Sequence, residues 1–170
     1  MDAAEALIDR HGDAVWRTTF RWLGHHDDAA DCYQQTFLEF FRRGGGVDHP
    51  RALLIRIATA RSLDRLRTRY RCPEPLNVDG PAARSALASV PPVESDRLLH
   101  RELLGELRRA LATLPADQAE AFWLRHVEEM TVAEVAEAIG VSEANVRVLT
   151  HRAARAVRPT LSHRLSHPAN

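Results

Sequence analysis

A chain of 170 residues has room for one medium-sized domain or two small ones, and its 45% hydrophobic content is sufficient for a folded core. No apolar run approaches the roughly 20 residues of a membrane span, and the chain begins without the basic and apolar segments of a signal peptide. We therefore expect a cytoplasmic protein without membrane insertion. Cys32 and Cys72 lack metal-ligand spacing, so each is interpreted as an unpaired thiol, with redox sensing as an open alternative.

The zero net charge conceals two blocks of opposite sign. All 23 basic residues are arginines, and nine of them lie in residues 42–71 with two aspartates, a net charge of +7. Residues 116–143 hold seven acidic residues and one arginine, a net charge of −6. The blocks suggest separate surfaces for separate partners, and arginine is suited to phosphate and guanine recognition.

Three helices are predicted in the first part of the chain, over residues 3–23, 27–43 and 50–71, each with apolar residues at helical spacing. Gly24 ends the first helix, and Asp27 or Asp28 can cap the second. Glycines 44–46 end the second helix, and Pro50 begins the third.

Residues 72–97 are rich in proline and serine, which predicts a flexible linker. Beyond it, helices are predicted over residues 98–114, from Pro115 onwards, over 132–139 and over 143–157. Nothing is typical of a strand, so we predict an all-α fold with two small helical domains. The predicted division is 1–71 for the first domain, 72–97 for the linker, 98–162 for the second domain and 163–170 for a tail.

A helix-turn-helix is the strongest local pattern. Thr131 and Glu134 form a capping box before a short apolar helix, Gly140 ends that helix, and Ser142 caps the next. Helical spacing predicts that Val146, Leu149, Thr150, Ala153 and Val157 are buried. The opposite face, predicted to contact DNA, carries Arg147, Val148, His151, Arg152 and Arg155.

The two helices at 27–43 and 50–71 give weaker signals when they are considered alone. The first has an aromatic face that ends in Phe40 and Phe41, and an opposite polar face interrupted by Leu38. Such a polar face is more often simply solvent-exposed than a docking surface. The second carries seven arginines beside its apolar residues, a pattern found in phosphate-binding helices and in solvated ones alike.

Along nearly its whole length the chain resembles the extracytoplasmic-function (ECF) sigma factors of the sigma-70 family. The segment from Asp28 to Phe37, followed by Phe40-Phe41-Arg42, is similar to the family's segment that docks on the clamp helices of the largest polymerase subunit. The resemblance implies polymerase contacts at one set of side chains: Asp28, Asp31, Gln34, Gln35, Leu38 and Glu39.

Residues 49–67 resemble the family's helix that melts and reads the minus-ten promoter element, which implies DNA contacts at Arg56, Arg61, Arg65 and Arg67. Residues 114–153 resemble the domain that reads the minus-thirty-five element, which implies contacts at Ser142, Arg147, Val148, His151, Arg152 and Arg155. A sigma-2-like helical bundle and a sigma-4-like helix-turn-helix domain are implied. The implied partners are core RNA polymerase, promoter DNA and an anti-sigma factor, without a cofactor and without catalysis by this chain.

The sequence departs from the family's pattern at four positions. Ala60 stands where the minus-ten helix commonly has asparagine, and Val148 and Leu149 replace residues that are typically small polar and arginine. Glu129 stands where the family usually has glycine before the helix-turn-helix. These departures concern promoter contacts rather than the fold.

Two other functions are compatible with parts of the chain. A helix-turn-helix regulator that acts without polymerase explains residues 98–157 but leaves the first domain without a role. An α-helical metal-dependent hydrolase could use the carboxylates and imidazoles near the second helix, although capping and solvation explain them more simply. That candidate metal set is Asp27, Asp28, Asp31 and Glu39 with His25 and His26.

Overall fold

The computed structural model describes residues 3–44, 48–71 and 94–166, and these residues form seven α-helices without a strand. The all-α prediction is therefore confirmed. The N-terminal region contains α1 (Ala3–Leu23), α2 (His26–Arg42) and α3 (Pro50–Arg71), and the C-terminal region contains α4 (Glu94–Ala112), α5 (Ala116–His126), α6 (Val132–Ile139) and α7 (Glu143–Ser166). Residues 72–93 of the predicted linker lie outside the described residues, as does Cys72. None of the described helices has the length and apolar character needed to cross a membrane.

Most helix boundaries follow local chemistry, but the starts of α2 and α4 differ from the prediction, and α4 begins at Glu94, inside the linker predicted over 72–97. Gly24 ends α1 in the left-handed conformation, φ +64°, and its amide donates to the Phe20 carbonyl at 2.8 Å. The predicted cap by Asp27 or Asp28 is wrong, because α2 begins earlier, after His25, and that residue makes no side-chain cap. The Asp28 carboxylate is instead bound by arginines of α3.

The central helix of the molecule is α3, which contacts α1, α2, α4, α5 and α6. Helical spacing from Ile57 through Leu63 and Leu66 to Tyr70 predicts one apolar stripe on α3. Ile57, Leu63 and Leu66 are buried, while Tyr70 is exposed. A further set is buried that no single stripe predicts: Leu54, Ile55, Ala58, Thr59 and Ser62. The small residues in this set let neighbouring helices approach α3 closely.

Both hydrophobic cores contain residues from the two regions. One core joins Val15 and Phe40 to Leu124 and Val135. In the other, the fully buried rings of Trp22 and Trp123 are stacked with their centroids 3.8 Å apart and their planes at 22°. The N-terminal and C-terminal regions therefore share both hydrophobic cores and do not each have a separate core.

The last helix is longer than predicted. The apolar stripe of α7 was expected to end at Val157, but Leu161 packs on the second core one turn later. The helix continues past Pro159, whose ring leaves one backbone hydrogen bond unformed, to Ser166. The predicted tail over 163–170 is therefore helical as far as residue 166, and residues 167–170 lie outside the described part.

Candidate nucleic-acid interface and docking face

The capping box that opens the helix-turn-helix is formed as predicted. The Thr131 hydroxyl accepts from the Glu134 amide at 3.2 Å, and the Thr131 amide donates to the Glu134 carboxylate at 2.7 Å. These hydrogen bonds lower the pKa of Glu134. The reciprocal pair satisfies two amides at the start of α6 and fixes the direction in which this helix enters.

The turn between α6 and α7 consists of Gly140, Val141 and Ser142. Gly140 has φ +73°, and its amide donates to the Ala136 carbonyl at 2.9 Å. The Ser142 hydroxyl accepts from the Asn145 amide at 3.2 Å and caps α7, as predicted. Because both helices are capped at this turn, the start of α7 has a defined position for groove contact.

The two faces of α7 divide as the sequence predicts. Val146, Leu149, Ala153 and Val157 are buried, while Thr150 is half-buried and donates to the Val146 carbonyl at 2.8 Å. The whole candidate minus-thirty-five set is exposed: Ser142, Arg147, Val148, His151, Arg152 and Arg155. Val148 is 44% exposed in the middle of this basic face, and Arg147 pairs with Glu143 at 3.0 Å.

Four of the six predicted polymerase contacts form a continuous exposed surface on α2, here called the docking face: Asp31, Gln34, Gln35 and Leu38. Leu38 is 61% exposed, although it is a large apolar residue. Phe41, assigned by the sequence to the buried aromatic face, is 39% exposed and lies one helical turn after Leu38. The surface beside the docking face is therefore more apolar than the sequence indicated.

The other two predicted polymerase contacts, Asp28 and Glu39, are engaged with α3. Arg65 and Arg69 donate to Asp28, and Arg61 donates to Glu39 at 2.7 Å. Burial would raise the pKa of Asp28 and of Glu39, but the hydrogen bonds from the arginines outweigh it and hold both pKa values below the usual range. These carboxylates tie α2 to α3.

The four predicted minus-ten arginines all have partners within the chain. Arg61 and Arg65 face α2, where Gln35 accepts from Arg61 at 3.2 Å. Arg67 donates to the carbonyls of Ala112 and Leu114, in the C-terminal region. Arg56 Nε lies 3.6 Å from Glu120 Oε2, also in the C-terminal region.

A cavity of about 430 Å³ lies between α2 and α3. Its wall includes Ala60 together with Gln35, Arg56 and Arg61. The methyl side chain of Ala60 leaves room there that a longer polar residue would fill. Cys32 also lines this cavity, where burial raises the pKa of its thiol.

The opposite charge blocks meet each other, and the prediction that they form separate surfaces is wrong. Besides the pair of Arg56 with Glu120, His49 lies 3.7 Å from Glu137 across the two regions. Desolvation raises the pKa of Glu120, with Arg56 acting in the opposite direction. The sequence shows the sign of the charge in each block but not which part of the fold packs against it. The contact between the two blocks could therefore not be predicted.

Sequence reasoning also missed two arginines that close helix ends. Arg108 of α4 donates to the carbonyl of Arg21 near the end of α1, and burial lowers its pKa to about 10, so it stays charged at neutral pH. Arg69 donates to the Leu23 carbonyl at 2.9 Å. No local pattern marks such residues, because their acceptors lie far away in the sequence.

The candidate metal set does not assemble. In residues 3–44, 48–71 and 94–166, no three His, Cys, Asp or Glu side chains are grouped as metal ligands. Asp28 and Glu39, which that hypothesis requires, are bound by arginines.

Comparison with known proteins identifies the helical architecture as that of the sigma-70 class. The family described as sigma-70 region 2 matches residues 7–72, and the family described as sigma-70 region 4 matches residues 104–157. The chain is 30% identical to the ECF RNA polymerase sigma factor SigL of Mycobacterium tuberculosis, over 92% of this chain and 87% of that protein. It is 24% identical to the ECF RNA polymerase sigma factor SigW of Bacillus subtilis, over 94% of this chain and 89% of that protein.

A third relative is longer. The chain is 29% identical to the ECF RNA polymerase sigma factor SigE of Mycolicibacterium smegmatis, over 99% of this chain but 65% of that protein. Together these matches show that the chain belongs to the ECF sigma factors of the sigma-70 family. It is a transcription initiation factor rather than an enzyme.

Proposed function

We propose that this sigma factor binds core RNA polymerase through α2 and recognises promoter DNA through α3 and α7. The observation that supports the proposal most strongly is that one chain has two separate exposed surfaces, one suited to protein docking and one suited to DNA binding. One is the docking face with Leu38 61% exposed, and the other is the basic face of α7, which follows a turn where Gly140 ends α6 and Ser142 caps α7. A polymerase-independent regulator would have no use for the first surface.

The position of the candidate contact residues assigns a separate role to each region of the chain. Residues 1–71 supply polymerase binding and minus-ten reading, and residues 98–162 supply minus-thirty-five reading. Arg147, Val148, His151 and Arg152 face the major groove, whose base edges arginine can read in pairs of hydrogen bonds. Arg155, one turn further along α7, contacts a phosphate.

On α2 the proposal separates two roles. The docking face contacts polymerase directly, and its exposed Leu38 supplies the apolar anchor that interface centres commonly use. Asp28 and Glu39 act as positioning residues, because their arginine partners hold α2 against α3. The chain acts in the cytoplasm, where an anti-sigma factor controls it.

Reconstituted transcription tests this function. Purified chain, core polymerase and a fragmented genomic library should together yield transcripts from a small set of start sites with a shared upstream sequence. Core polymerase alone should give none of these transcripts. A chain that bound specific duplex sites tightly without polymerase and gave no specific transcripts with it would instead be the independent regulator.

A further inference from the structure

We propose that Glu143, the first residue of α7, is a specificity-determining residue that selects cytosine in the upstream promoter element, and that Arg147 positions its carboxylate. This inference rests on the proposed function, because it assumes that α7 enters the major groove. It adds an acidic residue to a candidate set whose charged side chains are all basic.

Glu143 is an exception to the charge of α7. It is the only acidic residue among the 24 residues of this helix, whose exposed face also carries Arg147, His151, Arg152 and Arg155. A carboxylate on a DNA-binding face is repelled by the phosphates, which lowers the affinity for every sequence. This loss is offset where the carboxylate accepts a hydrogen bond from a base. An acid at this position therefore indicates sequence selection.

The position of Glu143 suits contact with a base edge. The Ser142 hydroxyl accepts from the Asn145 amide at 3.2 Å, and the Ser142 carbonyl accepts from the Val146 amide at 3.0 Å, so the first turn of α7 has a defined backbone. Glu143 follows this cap directly, its side chain is 51% exposed, and the next residue, Ala144, has only a methyl side chain. In helix-turn-helix proteins the N-terminal residues of the second helix contact base edges.

Arg147 holds one oxygen of the Glu143 carboxylate. Arg147 Nη2 donates to Glu143 Oε2 at 3.0 Å, and both side chains are more than half exposed. Glu143 Oε1 has no partner in the described part of the chain. The guanidinium group offsets the negative charge that faces the phosphates and fixes the direction of the carboxylate. The second oxygen is thus available to accept a hydrogen bond from DNA.

Cytosine is the base that matches this available oxygen. In the major groove, cytosine presents its N4 amino group as a donor without an adjacent acceptor. Adenine presents an amino group beside its N7 acceptor, which repels a carboxylate, and guanine and thymine present acceptors. Glutamine, which has a donor and an acceptor in one amide, matches adenine instead. The charge of Glu143 therefore determines which base is preferred.

Promoter selection by the chain bound to core polymerase tests this assignment. The complex selects upstream elements from a randomised library, and its affinity is then measured on the selected element with each position changed in turn to all four base pairs. At one position the unsubstituted chain should prefer a C·G pair by about tenfold. Glu143→Ala should remove this preference, and Glu143→Gln should shift it to an A·T pair.

The matched control is Asp117→Asn, because Asp117 is also an exposed acid in the first turn of a helix, α5. D117N should leave every base preference unchanged. A first-turn carboxylate stabilises its helix through the partial positive charge at the helix start. If Glu143 had this role alone, E143Q would select the parental element with a uniform change in affinity, and that result would overturn the assignment.

The positioning role of Arg147 has a separate test. Arg147→Ala should weaken binding to all sequences, because a positive charge is lost, and should also reduce the preference for the C·G pair. An R147A variant that kept the full preference would show that Arg147 does not position Glu143.

Failure of this inference is distinguishable from failure of the proposed function. If the unsubstituted chain with polymerase selects no upstream sequence, the proposed function fails. If it selects a sequence in which no position responds to substitution of Glu143, the proposed function stands and the assignment of Glu143 is wrong.

Discussion

Glu129 occupies a backbone conformation that suits glycine. Its φ is +57°, and the side chain is exposed in the connection between α5 and α6. For residues other than glycine the left-handed region costs roughly 1–2 kcal/mol, because Cβ approaches the following carbonyl oxygen. The family's usual glycine at this position is thus explained by backbone geometry, and this chain tolerates a strained residue there.

We expect Glu129→Gly to stabilise the fold. Relief of the left-handed strain exceeds the added flexibility of glycine in the unfolded chain, so the free energy of unfolding should rise by up to about 1 kcal/mol. Urea denaturation measures this change. Ala133→Gly, at an exposed position in the first turn of α6, is the control and should lower the same quantity by up to about 1 kcal/mol, the cost of glycine in a helix interior. If E129G were less stable than the unsubstituted chain, the Glu129 side chain would make a contact whose stabilising free energy exceeds the cost of the left-handed backbone.

Asp28 is the residue whose ionisation ties α2 to α3. Its pKa is lowered because the hydrogen bonds from Arg65 and Arg69 outweigh the effect of burial. A carboxylate whose pKa is lowered on folding contributes stability above its unfolded pKa, near 4, and loses that contribution as the pH falls through its folded pKa.

Asp28→Asn should therefore destabilise the chain more at pH 7 than at pH 3.5. Urea unfolding at pH 7, 5, 4 and 3.5 should show the difference between the two proteins shrinking below about pH 4. Asp27→Asn is the control, since the Asp27 side chain is 88% exposed and lies beside His26. If the loss of unfolding free energy in D28N stayed constant across this pH range, the charge of Asp28 would not be what holds α2 against α3.

The helix-turn-helix could be predicted from the sequence because each of its signals is local. Thr131 with Glu134, Gly140 and Ser142 specify both helix ends within a few residues, and the structure contains each of these features. The burial of α3 on further faces could not be predicted, because it depends on helices that are distant in sequence. Likewise, exposure of Leu38 was predicted, but exposure of Phe41 was not.

The exposed face of α7 leads to a prediction about base preference. If Arg152 reads a guanine, Arg152→Ala should cost roughly 1–3 kcal/mol and relax preference at one base pair. Val148→Ser should change preference at a neighbouring A·T pair, because valine packs on the thymine methyl group. Arg155→Ala should weaken binding to all sequences alike. Selection from randomised upstream elements with polymerase bound to each variant measures all three effects.

If the R152A and V148S variants both select the parental sequence, α7 is not the helix that reads this element. The Arg155→Ala variant serves as the internal control. It should lower total binding while it returns the parental preference.

Among the described residues, the number and type of the helices were predictable from the sequence, whereas the way in which the helices pack together was not. Composition gave the charge of residues 42–71 and 116–143 but not that Arg56 would face Glu120. The helical spacing of apolar residues also does not show that Trp22 and Trp123 stack on each other. From the sequence, each tryptophan could equally well be buried among residues of its own region. The sequence therefore predicts what each region could do, and the structure adds how the two regions pack against each other.

The proposed function depends on binding of core polymerase by the docking face of α2. Asp31→Arg with Gln35→Arg changes two exposed side chains and removes the hydrogen bond from Arg61 to Gln35, so helical content should be unaffected and thermal unfolding should change only slightly. Affinity for core polymerase, measured by fluorescence anisotropy, should fall at least about 100-fold, because mismatched charge at an interface costs several kcal/mol.

Asp9→Arg with Ala133→Arg, at exposed positions on α1 and α6, adds the same charge away from α2 and should retain normal affinity. Unchanged polymerase binding by a folded D31R/Q35R variant would show that this face of α2 is not where polymerase binds.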